Sequence, residues 1–262
     1  MTEAIIYVGK DLEAMSFAVN YHKWILDEFR PFFGKRFVEV GAGTGSFSEF
    51  LLRENLETLA LIEPSEMFEH LEQNVSQIKT DAKITFHKAI FAQVCRRLAE
   101  SDKPDSIIYV NVMEHIEDDS AELEMIYQTL APGGRCFVFV PALMSLYGEF
   151  DRRIGHYRRY TKTEIEEKCQ KAGLKIVKSK YFDFAGIFPW YVKYKLLKSD
   201  TLESGAVTLY DKVAVPVIQK FEKILPIARR EKHFDYRRKI KSEQKVILTP
   251  VVQSRRLAIA NL

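Results

Sequence analysis

Apolar positions Leu12, Met15, Phe17, Ala18, Tyr21, Trp24, Ile25 and Phe29 recur at helical spacing near the start of the chain. They predict one or two amphipathic helices over 11–33, ending before Pro31 and Gly34. The pattern then shortens. Apolar runs at about 36–40, 58–62, 83–87, 106–111 and 135–140 read as five strands, with helical segments at about 46–54, 65–78 and 119–130. Strands alternating with helices predict a parallel sheet covered by helices on both faces, with its ligand beyond the carboxyl ends of the strands. After the fifth strand, 143–160 reads as a charged and aromatic loop. Thr161-Lys162-Thr163-Glu164 then caps a helix to about 171, Gly173 stops it, and Leu174–Tyr181 reads as a sixth strand.

The loop after the first strand carries the most information. Phe37-Val38-Glu39-Val40 runs into Gly41-Ala42-Gly43-Thr44-Gly45, with glycines at alternate positions. Glycine lacks a Cβ and tolerates positive φ, so a ligand can lie directly on such backbone. A dinucleotide fingerprint needs Gly-x-Gly-x-x-Gly, and its sixth position here is Ser46. The acidic Glu39, two residues before the first glycine, suits a ligand with a cationic part, and points to S-adenosylmethionine. Thr58-Leu59-Ala60-Leu61-Ile62 ends in Glu63, a carboxylate placed for ribose hydroxyls as in other doubly wound nucleotide sites.

Two further blocks follow: Ser106–Val110 leading through Asn111-Val112-Met113-Glu114-His115 to an acidic helix start, and Leu130-Ala131-Pro132-Gly133-Gly134-Arg135 feeding the fifth strand. In order and spacing, the four blocks resemble the class I S-adenosylmethionine-dependent methyltransferases over roughly 35–180. The resemblance implies a Rossmann-like doubly wound α/β fold with a seven-stranded sheet, mostly parallel but with an antiparallel last strand, plus a helical lid. It divides the chain into an N-terminal helical cover (1–34), a cofactor-binding core (35–181), an inserted helical and basic lid (182–250) and a final strand (251–262). Gly41, Ala42, Gly43 and Gly45 would admit the cofactor against backbone, Glu39 would contact its methionine end, and Glu63 its ribose. Pro64, Asn111 and Val112 line the same crevice. The family often places a polar group for the adenine amine after strand 3. Here His87-Lys88-Ala89-Ile90 stands there, so adenine is expected on backbone at Ala89–Ile90, with Met67 or Phe91 against its face. Tyr21 either closes over the cofactor carboxylate or is a core residue.

The acceptor side is less determined. Glu-x-x-Glu-His runs similar to Asn111–His115 bind a divalent cation in quinone and RNA-terminal methyltransferases, but Asn111 replaces the first glutamate, so no metal is expected. In the other readings His115 faces the acceptor as a base or hydrogen-bond partner, or Glu114 and His115 only cap the next helix. The run Asp151-x-x-x-Gly155-His156-x-Arg158-Arg159-Tyr160-Thr161 resembles a loop in a bacterial small-molecule branch of the family. It makes His156 and Asp151 catalytic candidates beside His115, and Tyr147, Tyr157, Arg158 and Arg159 candidate acceptor contacts. Arginine forks suit carboxylate or phosphate; the alternative is that Asp151 pairs with Arg158 or Arg159 to brace the loop.

Bulk properties add limits. The net charge of +3 over 262 residues disfavours a dedicated nucleic-acid binder. Three cysteines without metal spacing, an N-terminus unlike a signal peptide, and no apolar run near the ~20 residues of a membrane span point to a cytoplasmic protein. Residues 184–197 are apolar and aromatic with interspersed lysines, 205–225 are helix-like, and 229–245 carry eight Lys/Arg against three acids. Segment 184–197 fits a lid, an acceptor roof or peripheral membrane contact. The expected function is methyl transfer to a small molecule, oxygen favoured over nitrogen or carbon, with an anionic, lipid-linked saccharide or natural-product intermediate as acceptor. RNA methylation and a non-catalytic scaffold are the rival readings.

Overall fold

The computed structural model describes residues 18–100, 102–183, 204–224 and 245–251. Seven strands, β1 (Arg36–Val40), β2 (Thr58–Ile62), β3 (Lys83–His87), β4 (Ser106–Val110), β5 (Arg135–Pro141), β6 (Lys175–Ser179) and β7 (Lys245–Val251), form one sheet in the order β3-β2-β1-β4-β5-β7-β6. The described helices are α1 (Val19–Phe29), α2 (Ser48–Leu51), α3 (Phe68–Val75), α4 (Phe91–Glu100), α5 (Asp119–Thr129), α6 (Glu149–Arg153), α7 (Lys162–Lys171), α8 (Ser204–Leu209) and α9 (Val215–Ile224).

Alternation along each strand builds two cores. Phe37, Leu59, Leu61, Ile108, Phe137 and Phe139 pack with Trp24, Ile25 and Phe29 of α1 on one face. Val38, Val40, Ala60, Ile62, Ile107, Tyr109, Cys136 and Val138 pack with Leu123 and Ile126 of α5 and Ile165 of α7 on the other. Both faces of the central strands β1, β2, β4 and β5 are therefore dry, as a sheet between two helical layers requires. β1 lies between β2 and β4, so the chain leaves β1 in one direction across the sheet and later returns to its other side. The crevice opened by that reversal is where such sheets take ligands.

The capping prediction for α7 holds: Thr161 Oγ1 accepts from the Glu164 amide at 3.2 Å, and Glu164 Oε2 accepts from the Thr161 amide at 2.7 Å. The last strand departs from expectation. β7 is Lys245–Val251, drawn from the end of the segment assigned to the lid, and it runs parallel to both β5 and β6. An antiparallel strand can follow a tight hairpin, whereas a parallel one needs a long crossover. Residues 180–244 separate β6 from β7, ample chain for such a crossover. The strand expected over 251–262 otherwise lies outside the described residues, as do 184–203 and 225–244 with most of the expected lid.

The part of the lid that is described docks on the N-terminal cover. A π turn over Tyr210–Ala214 joins α8 to α9. Asp211 on that turn accepts from the first backbone amides of α1, Asn20 at 3.0 Å and Tyr21 at 2.8 Å. It satisfies donors that a helix start leaves without intrahelical partners. Among the described residues, no helix is long and apolar enough to cross a membrane.

Candidate active site

The tips of β1, β2 and β3 are laced together through main chain. The amides of Gly41 and Ala42 both donate to the Ile62 carbonyl, at 2.8 and 3.1 Å, and the Glu63 amide donates to His87 O at 3.1 Å. The Glu63 carboxylate then bridges two loops. Gly43 N–H donates to its Oε2 at 2.8 Å and Ser65 N–H to its Oε1 at 2.9 Å. Glu39 lies buried beneath the loop, accepting from Ser48 Oγ at the start of α2 at 2.6 Å.

Two glycines show where this loop dispenses with a side chain. At Gly41, φ is +70°, and a Cβ would stand 2.4 Å from Val112 Cγ2. At Gly43, φ is +55°, yet a Cβ would meet nothing within 4 Å. That position borders open space instead of packed protein, so backbone there is available to a ligand. A cradle of open main chain, with the Glu63 carboxylate at the tip of β2 and the buried Glu39 carboxyl beneath the loop, fits a nucleoside.

Burial pushes the Glu39 carboxyl up to about 8; the Ser48 hydrogen bond opposes this and the Glu63 carboxylate adds to it. Glu114, considered below, is pushed to about 8 by burial as well. A carboxyl that stays protonated in the fold but ionises near 4.5 when unfolded makes stability fall as pH climbs from 4.5 to 8. Buried His22 and His115, lowered to about 4 and about 3, act oppositely, but only below their ordinary value of 6.5. The ligand-free protein is therefore expected to lose stability between pH 7 and 8. Denaturant unfolding across that window checks this, and Glu39→Gln should flatten the decline.

The acceptor-side residues converge beyond β4 and β5. Asn111 holds φ at +55° with its amide on Phe139 O at 2.8 Å, and Leu143, beyond β5, also has positive φ. Such non-glycine conformations are uncommon and concentrate at functional sites. The chain then makes a 3₁₀ turn over Met113–His115. The expected loop over 143–160 is partly helical, through α6, and it folds back against this turn. Tyr157 N–H donates to Glu114 O at 2.8 Å, and the rings of His115 and His156 meet edge to face at 4.5 Å.

Glu114, His115 and His156 thus form one cluster, their ligand-type atoms all within 4.8 Å of one another. Glu114 is fully buried, and among the described residues neither carboxyl oxygen has a hydrogen-bond partner. Its Oε1 lies 3.8 Å from His156 Nε2. His156 Nδ1 is 2.9 Å from Asp151 Oδ1. Burial depresses both imidazoles, and for His156 the Asp151 hydrogen bond opposes the effect. Two neutral rings beside a buried carboxyl offer lone pairs, not cations.

Arg158 and Arg159 are engaged in bracing. Arg159 Nε pairs with Asp151 Oδ1 at 2.7 Å in full burial, and Arg158 pairs with Asp119 Oδ2 at 2.8 Å. Asp119 also accepts from Tyr160 Oη at 2.8 Å and from Lys168 Nζ at 2.7 Å. Burial alone would raise this carboxyl, but the hydrogen bonds from Lys168, Tyr160 and Arg158 outweigh it and hold it low. Tyr147 Oη donates to His156 O at 2.6 Å, while Tyr157 is exposed beneath the Arg158 guanidinium.

Among the other candidates, Tyr21 packs edge to face on Trp24, Phe139 and Phe182. Met67 and Pro64 are half-buried beside Glu63, and Ile90 is exposed after β3. Phe91 turns into the core against Tyr109 and so does not stand at an adenine face. Sequence reasoning gave no role to Tyr160, although it stands in the Gly-His-x-Arg-Arg-Tyr-Thr run, and missed Asp119 and Asp211, for which no motif gives a signal, and Ser48, whose spacing nine residues beyond Glu39 acquires meaning only once the loop is folded.

A family model described as a methyltransferase domain matches residues 20–179. The chain belongs to the class I S-adenosylmethionine-dependent methyltransferase family. A ubiquinone biosynthesis O-methyltransferase of Xylella fastidiosa is 32% identical over 111 residues, 41% of this chain and 42% of that protein. The match thus spans less than half the length of that relative. A solved cyclopropane synthase of Mycobacterium tuberculosis aligns with a TM-score of 0.52 at 12% identity, over 76% of this chain and 78% of its own. Phosphoethanolamine N-methyltransferase 2 of Haemonchus contortus, solved with S-adenosylmethionine, aligns with a TM-score of 0.51 at 19% identity, over 78% of this methyltransferase and 49% of that one. These structural likenesses support the fold; the acceptors of the three proteins differ.

Proposed function

We propose that the protein transfers a methyl group from S-adenosylmethionine to an oxygen of a small-molecule acceptor. One observation carries the reading. Glu114 and His115 lie on the turn that begins one residue after Val112, His156 is brought against them by the loop after α6, and Val112 packs directly on the Gly41 backbone of the donor loop. Groups able to hold a hydroxyl are therefore adjacent to the crevice that fits the donor.

When bound, the donor supplies an electrophilic methyl whose sulfur leaves as a neutral thioether. The chain's work is then alignment and exclusion of water. Backbone at Gly41–Gly45 holds the nucleoside, Glu63 accepts from ribose hydroxyls, and Glu39 lies toward the methionine end. An acceptor hydroxyl must also lose its proton, which the neutral rings of His115 and His156 favour by accepting hydrogen bonds. Asp151 is a positioning residue: it holds His156 Nδ1 and reaches no open space of its own.

The name of the Xylella relative supports oxygen over nitrogen or carbon. Lipid-linked saccharide or natural-product intermediates remain the acceptor classes suggested by the Gly-His-x-Arg-Arg-Tyr-Thr loop. The anionic character expected from Arg158 and Arg159 loses its support, because Arg159 is paired with Asp151 within the loop and Arg158 with Asp119 at the start of α5. We place the protein in the cytoplasm, with peripheral membrane contact through residues 184–197, which lie outside the described residues. The test is transfer of labelled methyl from the donor into a cell extract. Label in a small, solvent-extractable product supports the reading; label in RNA, or none in any fraction, overturns it.

A further inference from the structure

We infer that the outer face of α8, the π turn and α9 docks on an anionic lipid surface, as an amphipathic element that lies along the bilayer without crossing it. Leu209, Val213, Val217 and Phe221 recur there at every fourth residue, and each is between 50 and 66% exposed. In an unbroken α-helix that spacing drifts around the axis by about 40° per step. The π turn over Tyr210–Ala214 takes more residues per round, which offsets one of those steps and keeps the four side chains on one side. The opposite side is already used. Val215 and Ile218 are buried in one core with Trp24 and Ile25 of α1, and Asp211 is buried at its bonds to the Asn20 and Tyr21 amides. The segment is thus apolar on two sides and packed on one, whereas a helix apolar all round is ordinarily buried all round.

Charge selects the occupant. Among the described residues of 205–221, the exposed charged side chains are Lys212 and Lys220, and the acid of this stretch, Asp211, faces α1. Lysine is depleted from protein–protein interfaces. Beside an apolar stripe it suits a bilayer, because its stem lies along the apolar boundary while its ammonium group reaches the headgroups. The sequence on either side continues the sign. Lys193, Lys195 and Lys198 stand among the apolar and aromatic residues of 184–198 without an acid, and 229–245 carry eight Lys/Arg against three acids. Basic clusters next to an amphipathic helix are the composition that anionic lipid attracts. Attachment strengthens with buried apolar area and with electrostatic attraction, and this part of the chain supplies both.

Binding to lipid stands apart from the proposed reaction. Only its use rests on that reading. α9 packs on α1, and α1 packs on the sheet that carries the donor crevice, so attachment at this face would hold the core at the surface where a lipid-linked acceptor resides.

Full-length protein is floated with vesicles of phosphatidylcholine alone and with vesicles mixing phosphatidylcholine and phosphatidylglycerol. It should bind the mixed vesicles far more than the neutral ones, and raised salt should weaken the binding. Val217→Gln combined with Phe221→Gln removes half of the stripe at exposed positions and should weaken vesicle binding roughly tenfold or more. Lys212→Glu combined with Lys220→Glu should weaken it as well. S-adenosylmethionine affinity and the midpoint of thermal unfolding should stay at wild-type values in both variants, which shows that the fold is intact. No binding to the mixed vesicles, equal binding to both kinds, or wild-type binding by the glutamine variant overturns the surface. So does a wild-type dimer that ignores lipid and that the glutamine substitutions turn into monomer, since the face then belongs to a second copy. Vesicle binding without any methyl transfer upholds the surface and fails the proposed function, and methyl transfer without vesicle binding does the reverse.

Discussion

Glu63→Ala is expected to weaken S-adenosylmethionine binding by about 5- to 150-fold, the equivalent of ~1–3 kcal/mol for loss of charge-assisted hydrogen bonds. The carboxylate does two things at once. It accepts from the Gly43 and Ser65 amides, which sets the glycine loop against the start of the next one, and in the proposed reading its remaining lone pairs accept from the ribose. Alanine removes the ribose acceptor and strands two backbone donors together. Glu63→Gln separates these roles, since its amide oxygen can still accept one of the two backbone bonds. It should recover part of the affinity and most of the thermal stability. Calorimetric titration of both variants checks the order. Equal affinity in wild type and alanine variant would remove Glu63 from the donor site and weaken the whole assignment of the crevice.

The same residue shows which parts of the molecule were legible in the sequence. β1 and β2 fall where the apolar runs predicted, because short buried strands bounded by Gly, Pro and charge leave a local signal, and the half-exposed edge strand β3 falls at its predicted bounds as well. The proposed donor crevice lies at the tips of two adjacent strands and the loop between them, so Glu39, Gly41, Gly43 and Glu63 are all readable within one βαβ unit. α4 escaped, although Phe91, Val94 and Leu98 stand at helical spacing among charged neighbours. The direction of β7 was not readable at all, since it depends on the course of the long segment before it.

The acceptor side failed differently. Glu114 and His115 are adjacent in the chain and could be noticed together. That His156 meets them depends on α6 folding the loop back, a tertiary event without local signature. Arg158 and Arg159 illustrate the converse. An arginine pair in a loop reads as an anion-binding fork, and nothing local says that Asp119 and Asp151 already occupy it. Residue types marked this loop as important; only packing distinguishes the groups that face a ligand from those that hold the loop.

Asp151→Ala is expected to cost about 3–5 kcal/mol of stability, the range for breaking a buried ion pair by removing one partner. At roughly 2–4 °C per kcal/mol for a domain of this size, the midpoint of thermal unfolding should drop by about 6–20 °C. The reason lies in Arg159, whose side chain is 1% exposed and whose guanidinium would be left buried without its carboxylate. Burial alone would raise the Asp151 carboxyl, but His156 and Arg159 together hold it below the usual carboxylate range, so the ionised form is the one the loop is built around. Asp151→Asn keeps the shape and can still accept from the Gly148 amide, yet it removes the charge opposite Arg159, so it should fall between wild type and alanine. The His156 contact adds a second readout. If Asp151 orients that ring, the asparagine variant should also lose methyl transfer at temperatures where it is fully folded, with donor affinity unchanged. A loss of stability below about 1 kcal/mol in the alanine variant, the range of an exposed pair, would mean that water reaches Arg159 and that the loop is not braced through this contact.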